Sequence, residues 1–369
     1  MGSIYVHVPF CKQRCAYCDF CSQTDMTLEK EYFSAVQKHI KSLADSTFLV
    51  ESIFFGGGTP SSVDAKYICQ TLDAIRESFC VSPNAEITVE CNPESVTKEK
   101  VCAYKASGVN RISLGVQSAN DKTLQKIMRL HSFEKAKEAV QTVVNCGIKN
   151  VNVDLLLGLP DEGEKDFFQS LFAVAKLPVT HVSMYALEVY PHTVLGKKKG
   201  CVYMDDDTVA SVYYKAVEQL KKLGFLQYEV SNFAKVGCSC KHNEGYWKGT
   251  KYIGIGAGAS GYTGKVRYTN LSDLKAYVEA IEREVHPFDY FDPLTKDDLM
   301  YEAVMLGLRR REGINLVEFE EKFGISLFEY CPNVAKFLDN GVLQKEENNV
   351  FVTCDKIYLL NNVLCELLN

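Results

Sequence analysis

Apolar positions follow two different spacings in turn along the first half of the chain. In residues 3–10, SIYVHVPF, the apolar residues Ile4, Val6 and Val8 occupy every second position, which is typical of a strand. Residues 28–45 then repeat their apolar side chains at three and four positions, which predicts a helix. Strands that alternate with helices indicate parallel β–α–β units. Further strands are predicted at residues 50–60, 86–94, 110–118, 150–160 and 180–190, and further helices at 62–79, 97–108, 121–130, 133–147 and 164–177.

The positions of the polar and glycine-rich motifs favour a barrel over an open sheet. Each motif falls where a predicted strand ends, and together they are the cysteine-rich segment after residue 10, GGGTP, ECNPE, GVQS and VDLLLGLP. Active sites of (β/α) barrels are built at the carboxyl ends of the strands. One mouth would therefore collect all five motifs, and we expect an α/β fold with a barrel domain over residues 1–235.

The regular rhythm weakens in the second half of the chain. Residues 236–290 mix aromatic, glycine and polar positions, and we interpret them as an extension and linker that runs on into HPFDYFDPLTKDD at 286–298. The last piece, residues 291–369, has the size of a small domain. It shows helical patterns and a hairpin at residues 299–310, 316–324, 334–341, 343–354 and 356–368. Helices followed by a two-stranded wing predict a winged-helix-like domain.

Composition limits the classes of function. The chain has 369 residues, of which 46% are hydrophobic, enough for one large domain and a smaller one. A formal net charge of -6 argues against a general nucleic-acid binder. No apolar run approaches the length of a membrane span, and no charged segment followed by an apolar one opens the chain. We therefore expect a cytoplasmic protein.

The cysteines are numerous and unevenly spaced. Fifteen is an odd number, and with no export signal it does not suggest a disulfide framework. Cys69, Cys80 and Cys146 stand singly, so we expect them to behave as small buried hydrophobes. Clustered cysteines in a reducing compartment usually bind metal or do redox work.

The segment CKQRCAYC is such a cluster, because it brings Cys11, Cys15 and Cys18 within eight residues. A structural zinc ion would need a fourth ligand, which Cys21 or His7 would supply. An iron–sulfur cluster held by three cysteines would instead leave one iron open to a substrate or cofactor. The residues alone leave both alternatives open.

Four other motifs contain candidate ligand-binding residues. The glycines at 56–58 allow backbone to approach a ligand closely, although alone they indicate only a turn. Glu90 and Gln117 each end a predicted strand. Arg129 is suited to holding a carboxylate at two points, although an isolated arginine is more often solvated. Asp154 lies in an apolar strand, where it needs a ligand or a structural hydrogen bond.

The spacing C-x3-C-x2-C of Cys11, Cys15 and Cys18 resembles the signature of the radical S-adenosylmethionine (SAM) superfamily. In that family the three cysteines hold a [4Fe–4S] cluster, and SAM binds the open iron and is cleaved by an electron from the cluster. Together with GVNRISLGVQS and CKHNEGYW, the motifs resemble the HemN/HemW branch over essentially the whole chain. This resemblance implies a partial (β/α)6 TIM-like barrel, the metal ligands Cys11, Cys15 and Cys18, and SAM contacts at Tyr5, Gly57, Gly58, Thr59, Glu90, Gln117, Arg129 and Asp154.

The branch contains two classes of protein, the oxygen-independent coproporphyrinogen III dehydrogenases and the heme chaperones. The dehydrogenases carry an arm before the first strand, and here the predicted strand begins at residue 3. They also carry a cysteine two positions after the third ligand, where this chain has Phe20. Both features favour a heme chaperone, with coproporphyrinogen III dehydrogenase as the alternative.

A heme chaperone needs a ligand for the heme iron. The resemblance makes His242 the candidate, flanked by Tyr246 and Trp247, although a structural turn at His242 and Asn243 is the alternative interpretation. The expected partners are heme, an acceptor hemoprotein associated with a membrane and, if SAM is cleaved, a flavodoxin or ferredoxin as electron donor. No nucleic-acid partner is expected, and the sequence does not distinguish a monomer from a homodimer.

Overall fold

The structure, a computed structural model, describes residues 1–368. Strands and helices alternate through its first part, as the apolar spacing predicts. The strands are β1 (Gly2–Val8), β2 (Asp45–Gly57), β3 (Phe79–Cys91), β4 (Arg111–Gln117), β5 (Asn150–Leu157) and β6 (His181–Ala186). The helices are α1 (Glu29–Ser42), α2 (Ala65–Ser78), α3 (Lys98–Ala106), α4 (Asp121–Lys126), α5 (Phe133–Asn145), α6 (Glu164–Ala175), α7 (Val194–Lys197) and α8 (Asp206–Lys222).

The rest of the chain adds short strands and a helical end. After α8 come β7 (Leu226–Gln227), β8 (Asn232–Ala234), α9 (Lys241–Trp247), β9 (Tyr252–Ile255), β10 (Ser260–Tyr262), β11 (Val266–Asn270), α10 (Leu274–Glu282) and β12 (Phe288–Pro293). The last part comprises α11 (Lys296–Gly307), β13 (Ile314–Asn315), α12 (Leu316–Phe323), α13 (Leu327–Tyr330), α14 (Asn333–Asp339), β14 (Leu343–Glu346), β15 (Asn349–Val352) and α15 (Leu360–Leu367). Single 3-10 turns lie at Pro60–Ser62, Pro93–Ser95 and Ile357–Leu359.

One twelve-stranded sheet forms the body of the protein. Its order is β12-β11-β10-β9-β1-β2-β3-β4-β5-β6-β8-β7, and neighbours from β9 to β6 are parallel. Within residues 1–368 the end strands β12 and β7 do not pair with each other, so the barrel is partial. This arrangement confirms the predicted α/β fold with a partial (β/α) barrel.

The core lies between this sheet and the helices on its outer face. Ile4, Val6 and Val8 are fully buried, because β1 has parallel neighbours on both sides. Successive helices pack side by side, α1 on α2, α2 on α3 and α6 on α8. Within the described residues, no helix is both long enough and apolar enough to cross a bilayer.

Polar residues fix the start of most of these helices. An N-cap side chain accepts a hydrogen bond from a backbone N–H that the first helical turn leaves unpaired. Short side chains of this type cap α2, α3, α4, α5 and α8, and they are Asp64, Thr97, Asn120, Ser132 and Asp205. The caps thereby define where each of these five helices begins.

Four predicted elements differ from the structure. β2 and β3 begin at Asp45 and Phe79, earlier than the apolar pattern indicates, because the pairing between these two strands extends to their first residues. The sixth strand ends at Ala186, before the polar segment that follows. The segment interpreted as a linker contains β12, whose edge-strand pairing with β11 leaves most of its side chains exposed and hides the strand from an apolar pattern.

The C-terminal part has the predicted helices and wing. Its three strands form a small antiparallel sheet in the order β13-β15-β14. Backbone hydrogen bonds join it to the barrel, from Val230 N–H to the Arg309 carbonyl at 3.1 Å and from Arg311 N–H to the Tyr228 carbonyl at 3.0 Å. The rings of Tyr213 on α8 and Tyr358 also contact each other. The division of the chain at residues 235 and 290 stays a prediction.

Truncating the buried Ile4 side chain tests the central position of β1. We expect Ile4→Ala to lower the free energy of unfolding by about 2–5 kcal/mol, because it leaves a cavity between two sheet neighbours. Urea denaturation followed by circular dichroism measures the change. Val236→Ala, at a side chain that is 88% exposed, is the control and should change stability by less than about 0.5 kcal/mol. Equal effects of the two substitutions would contradict this packing.

Candidate functional site

A single cavity opens at the carboxyl ends of the parallel strands. Its volume is about 610 Å³, within the range usual for small-molecule sites. All the candidate residues of the sequence analysis line it, namely Tyr5, Cys11, Cys15, Cys18, Gly57, Gly58, Thr59, Glu90, Gln117, Arg129, Asp154 and His242. The prediction that one mouth collects the motifs is therefore confirmed in position, while the roles of these residues stay predictions.

The cysteine loop follows β1 and is fastened at both ends. The backbone N–H of Cys11 donates to the Gln23 carbonyl at 2.9 Å, and that of Gln23 donates to the Pro9 carbonyl at 2.7 Å. Farther along, the Ala16 N–H donates to the Ile127 carbonyl at 3.0 Å. The loop is thus held between β1 and the segment that follows α4, with its cysteines facing the cavity.

The cysteine side chains differ in their surroundings. Cys11 is buried, and Cys15 and Cys18 are half-buried. Burial raises the pKa of the Cys11 and Cys18 thiols. Cys21 does not line the cavity, and its Sγ lies 3.6 Å from the Ser272 carbonyl. Within residues 1–368, no three His, Cys, Asp or Glu side chains are grouped as ligands of one metal ion.

A chain of polar side chains links two of the cysteines across the mouth. The Cys11 Sγ lies 3.3 Å from the Thr59 hydroxyl, which accepts a hydrogen bond from Asn92 Nδ2 at 3.0 Å. Asn92 Oδ1 in turn accepts from Arg129 Nη2 at 2.8 Å, and Arg129 Nη1 donates to the Cys15 Sγ at 3.2 Å. We refer to Cys11, Thr59, Asn92, Arg129 and Cys15 as the mouth network. It places the Arg129 guanidinium beside the Cys15 Sγ.

The glycine segment crosses directly beneath the cysteine loop. Gly58 N–H donates to the Val8 carbonyl at 2.9 Å, and a Cβ on Gly58 would lie 2.8 Å from that oxygen. Gly57 has φ +108, and a Cβ there would lie 2.4 Å from the His7 ring. Only glycine fits this close approach of backbone to backbone and ring. The segment thereby presents main chain to the cavity.

Two carboxyl groups lie inside the barrel, one on β3 and one on β5. Burial and the nearby charge of Asp154 raise the pKa of Glu90 to about 8. Burial also raises the pKa of Asp154, whose Oδ1 accepts from Asn152 Nδ2 at 2.7 Å. Glu90 Oε2 lies 3.3 Å from the Gly57 N–H. Carboxyl groups held this way are suited to accept hydrogen bonds from hydroxyl or ammonium groups of a ligand.

The backbone near the end of β4 is strained. Gln117 adopts φ 70, a left-handed conformation uncommon for a residue other than glycine. The pairing between β4 and β5 slips by one residue there, between Gly115 and Gln117. Such outliers cluster at ligand sites. Nearby, the His131 ring lies within hydrogen-bond distance of both Glu94 and the Val116 carbonyl, and braces the strand end.

His242 is buried at the floor of the cavity, on α9. Its Nδ1 lies 2.9 Å from the Ser52 hydroxyl and its Nε2 lies 3.0 Å from the Tyr246 hydroxyl. Its ring stacks on Phe54 with centroids 5.0 Å apart. Burial lowers the pKa of His242 to about 3, so the ring is neutral. A metal bond to either nitrogen requires one of these hydrogen bonds to break.

Two cavity residues escaped the sequence analysis. Asn92 lies in the motif ECNPE, of which the sequence predicts only Glu90 as a site residue. An asparagine in a turn usually has a local role. Arg111 begins β4 and is only 2% exposed. The sequence does contain an indication for Arg111, because in NRISLGV it is a charged residue at the start of an otherwise apolar strand.

Comparison with known families gives two matches in separate parts of the chain. The Radical SAM superfamily model matches residues 5–173, and the HemN C-terminal domain model matches residues 294–357. The first match contains the cysteine loop, most of β1 and the strands β2 to β5. The second contains both strands of the wing, β14 and β15.

Curated relatives span nearly the whole chain. Heme chaperone HemW of Bacillus subtilis (strain 168) is 34% identical over 98% of this chain and 98% of its own length. Heme chaperone HemW of Escherichia coli (strain K12) is 34% identical over 78% of this chain and 81% of its own. Among solved structures, coproporphyrinogen III oxidase (HemN) from Escherichia coli superimposes with a TM-score of 0.86 at 22% identity, covering 98% of this chain and 89% of that one. This last likeness concerns the fold alone.

The raised pKa of Glu90 predicts a pH dependence of stability. The folded chain holds a proton on Glu90 that the unfolded chain releases near pH 4.5, so this stabilisation is lost as the pH rises towards about 8. We expect the free energy of unfolding of the cluster-free wild type to fall between pH 5.5 and 8.5. This fall should exceed that of Glu90→Gln by at least about 1 kcal/mol. Urea denaturation at both pH values measures the difference.

The exposed carboxyl of Glu320 on α12 provides the control for this prediction. In Glu320→Gln the free energy of unfolding should depend on pH as it does in the wild type, because this carboxylate stays exposed to solvent in the folded chain. Identical pH slopes in the wild type and Glu90→Gln would show that Glu90 is ionised throughout this range.

Proposed function

The chain belongs to the HemW family of the radical SAM superfamily, and on this basis we propose that it is a heme chaperone, which binds heme and passes it to an acceptor hemoprotein. The observation that carries this proposal is the similarity to HemW proteins over nearly the whole chain. Phe20 also supports it. The dehydrogenases of this branch carry a cysteine at this position, which gives them a C-x-C pattern, whereas in this chain Phe20 lines the cavity. The resemblance of the motifs to the HemN/HemW branch makes coproporphyrinogen III dehydrogenation the alternative function.

The radical SAM family implies a [4Fe–4S] cluster and SAM, and we propose Cys11, Cys15 and Cys18 as the three cluster ligands. Their shared position on the cavity wall supports this assignment, as does the position of Cys21 outside the cavity. The fastened loop lowers the cost of ordering three thiolates around one cluster. When bound, the cluster supplies an electron that can cleave SAM.

SAM is proposed to bind beside the cluster, and the cavity chemistry supports this. The backbone at Gly57 and Gly58 can approach the ligand closely, and the Arg129 guanidinium at the mouth suits the methionine carboxylate of SAM. The paired carboxyls of Glu90 and Asp154 are suited to the ribose hydroxyls and the amino group. The full set of proposed SAM contacts is Tyr5, Gly57, Gly58, Thr59, Glu90, Gln117, Arg129 and Asp154.

Heme is proposed as the transferred ligand, with His242 as the candidate for its axial bond. The position of His242 on the cavity lining supports this role. Its two hydrogen bonds, to Ser52 and Tyr246, oppose it, because the ring must give one up before it can ligate iron. A direct test of His242 is therefore part of the experiment on heme binding.

Removing single cysteines tests the cluster ligands. We expect Cys11→Ser, Cys15→Ser and Cys18→Ser each to lose most of the iron and sulfide of the anaerobically reconstituted protein, because a cluster held at two corners is labile. Iron and sulfide analysis with the visible absorption spectrum measures the loss. Cys21→Ser is the matched control and should retain wild-type content. Equal loss in Cys21→Ser, or one tightly bound zinc ion in place of iron, would contradict the assignment.

Heme binding and substrate turnover distinguish the two functions. We expect heme added to the reconstituted protein to give a saturable Soret shift. We also expect no conversion of coproporphyrinogen III to protoporphyrinogen IX when SAM and a reductant are supplied. Absorption titration and product chromatography are the measurements.

The same experiment identifies the heme ligand. A reduced Soret shift in His242→Ala, with an unchanged shift in His286→Ala on a connecting segment, would assign the axial bond to His242. Decarboxylation by the wild type would instead overturn the chaperone proposal.

A further inference from the structure

Arg111 is the largest charged side chain buried in the barrel. It begins β4, is 2% exposed and lines the cavity. Its Nε atom is buried with no hydrogen-bond partner in residues 1–368. No carboxylate in this part of the chain forms an ion pair with it, although four other arginines form such pairs. A buried guanidinium nitrogen without a hydrogen-bond partner is unusual and is available to an acceptor group of a ligand.

The carboxyl groups whose charges act on Arg111 form their hydrogen bonds with other residues. Glu86 and Asp154 are the carboxyl groups whose charges act on it. Glu86 already accepts from the Lys241 N–H, the His242 N–H and the Cys240 thiol, all at the start of α9. Asp154 accepts from Asn152. These acids balance the charge of Arg111 at a distance and leave its donors unused.

The second arginine of the cavity, Arg129, uses both terminal nitrogens at the opposite end, while its Nε atom has no hydrogen-bond partner in residues 1–368. Arg129 donates to the Cys15 Sγ, to Asn92 and to the Gly115 carbonyl. Arg129 therefore stays with the cysteine loop, where the proposed SAM carboxylate lies. Arg111 is near the floor, where its charge acts on His242 and His181. The cavity thus has two cationic ends that can receive two different anionic groups.

The chemistry of the free end selects a carboxylate. A guanidinium presents a planar fork of donors that matches the two oxygens of a carboxylate. The lining near it combines polar side chains with aromatic walls, from Ser113, Asn152, Ser183, Phe54 and Tyr185. Such a lining suits a flat apolar molecule that carries carboxylate side chains.

We propose that Arg111 binds a propionate carboxylate of the heme at the inner end of the cavity. This inference rests on the proposed heme-binding function and adds the group by which the tetrapyrrole is recognised. It assigns the heme carboxylate to Arg111 and leaves the SAM carboxylate to Arg129.

The test compares heme with its dimethyl ester, which has the same macrocycle and iron but no carboxylate. The cluster-loaded protein is titrated anaerobically with each ligand and followed at the Soret band. We expect the wild type to bind heme about 10- to 100-fold more tightly than the diester, because hydrogen bonds to a charged group are strong when desolvated. Arg111→Gln should lose this preference by weakening heme alone, and Arg111→Lys should keep part of it.

Control variants and SAM binding separate the explanations. Arg283→Gln, at an exposed arginine after α10, should behave as the wild type. Equal wild-type affinities for heme and diester, or a preference retained in Arg111→Gln, would overturn the inference and leave the heme-binding function standing. So would a loss of SAM affinity in Arg111→Gln with heme affinity unchanged. Absence of any heme binding in the wild type would instead overturn both proposals. The comparison of heme with its diester uses the wild type alone and so does not depend on whether a variant folds.

Discussion

The mouth network is the interaction on which the rest of the site depends. It runs from Cys11 through Thr59, Asn92 and Arg129 to Cys15. Its members come from the cysteine loop, the end of β2, the end of β3 and the segment after α4. Three strand ends and the segment after α4 must therefore keep their relative positions for two thiols to keep their places. A parallel sheet meets this demand because the carboxyl ends of its strands lie along one edge.

Most of the ionisable side chains buried in the site have a defined hydrogen-bond partner or a neighbouring charge. Glu90 and Asp154 lie close enough for one to raise the pKa of the other, so the ligand-free cavity favours a protonated carboxyl. Glu86 holds the start of α9, and the neutral His242 fills the floor with both nitrogens engaged. The polar interior is thus largely satisfied by the chain itself. Within residues 1–368, nine buried side-chain atoms have no hydrogen-bond partner, and two of them, the Nε atoms of Arg111 and Arg129, belong to residues of the cavity lining.

Local patterns predicted the elements and the position of the site, and long-range contacts decided the rest. The alternation of Ile4, Val6 and Val8 reports a buried strand directly, because these three side chains share one face of β1 and are fully buried. The edge strand β12 carries no such signal, since most of its side chains face solvent. The engaged nitrogens of His242 depend on Ser52, nearly two hundred residues away. No spacing along the chain reveals a partner at that separation.

The parallel pairing of β9 with β1 has a consequence for the order in which the site is completed during synthesis. β1 carries the cysteine loop, yet one of its two neighbours is the segment Tyr252–Ile255. Chains are made from the amino end, so β1 emerges first and stays half-paired until some 250 residues have followed. The thiols are thus exposed on an unfinished sheet edge for most of translation. The cavity that the cysteine loop faces is therefore completed only after most of the chain has been made.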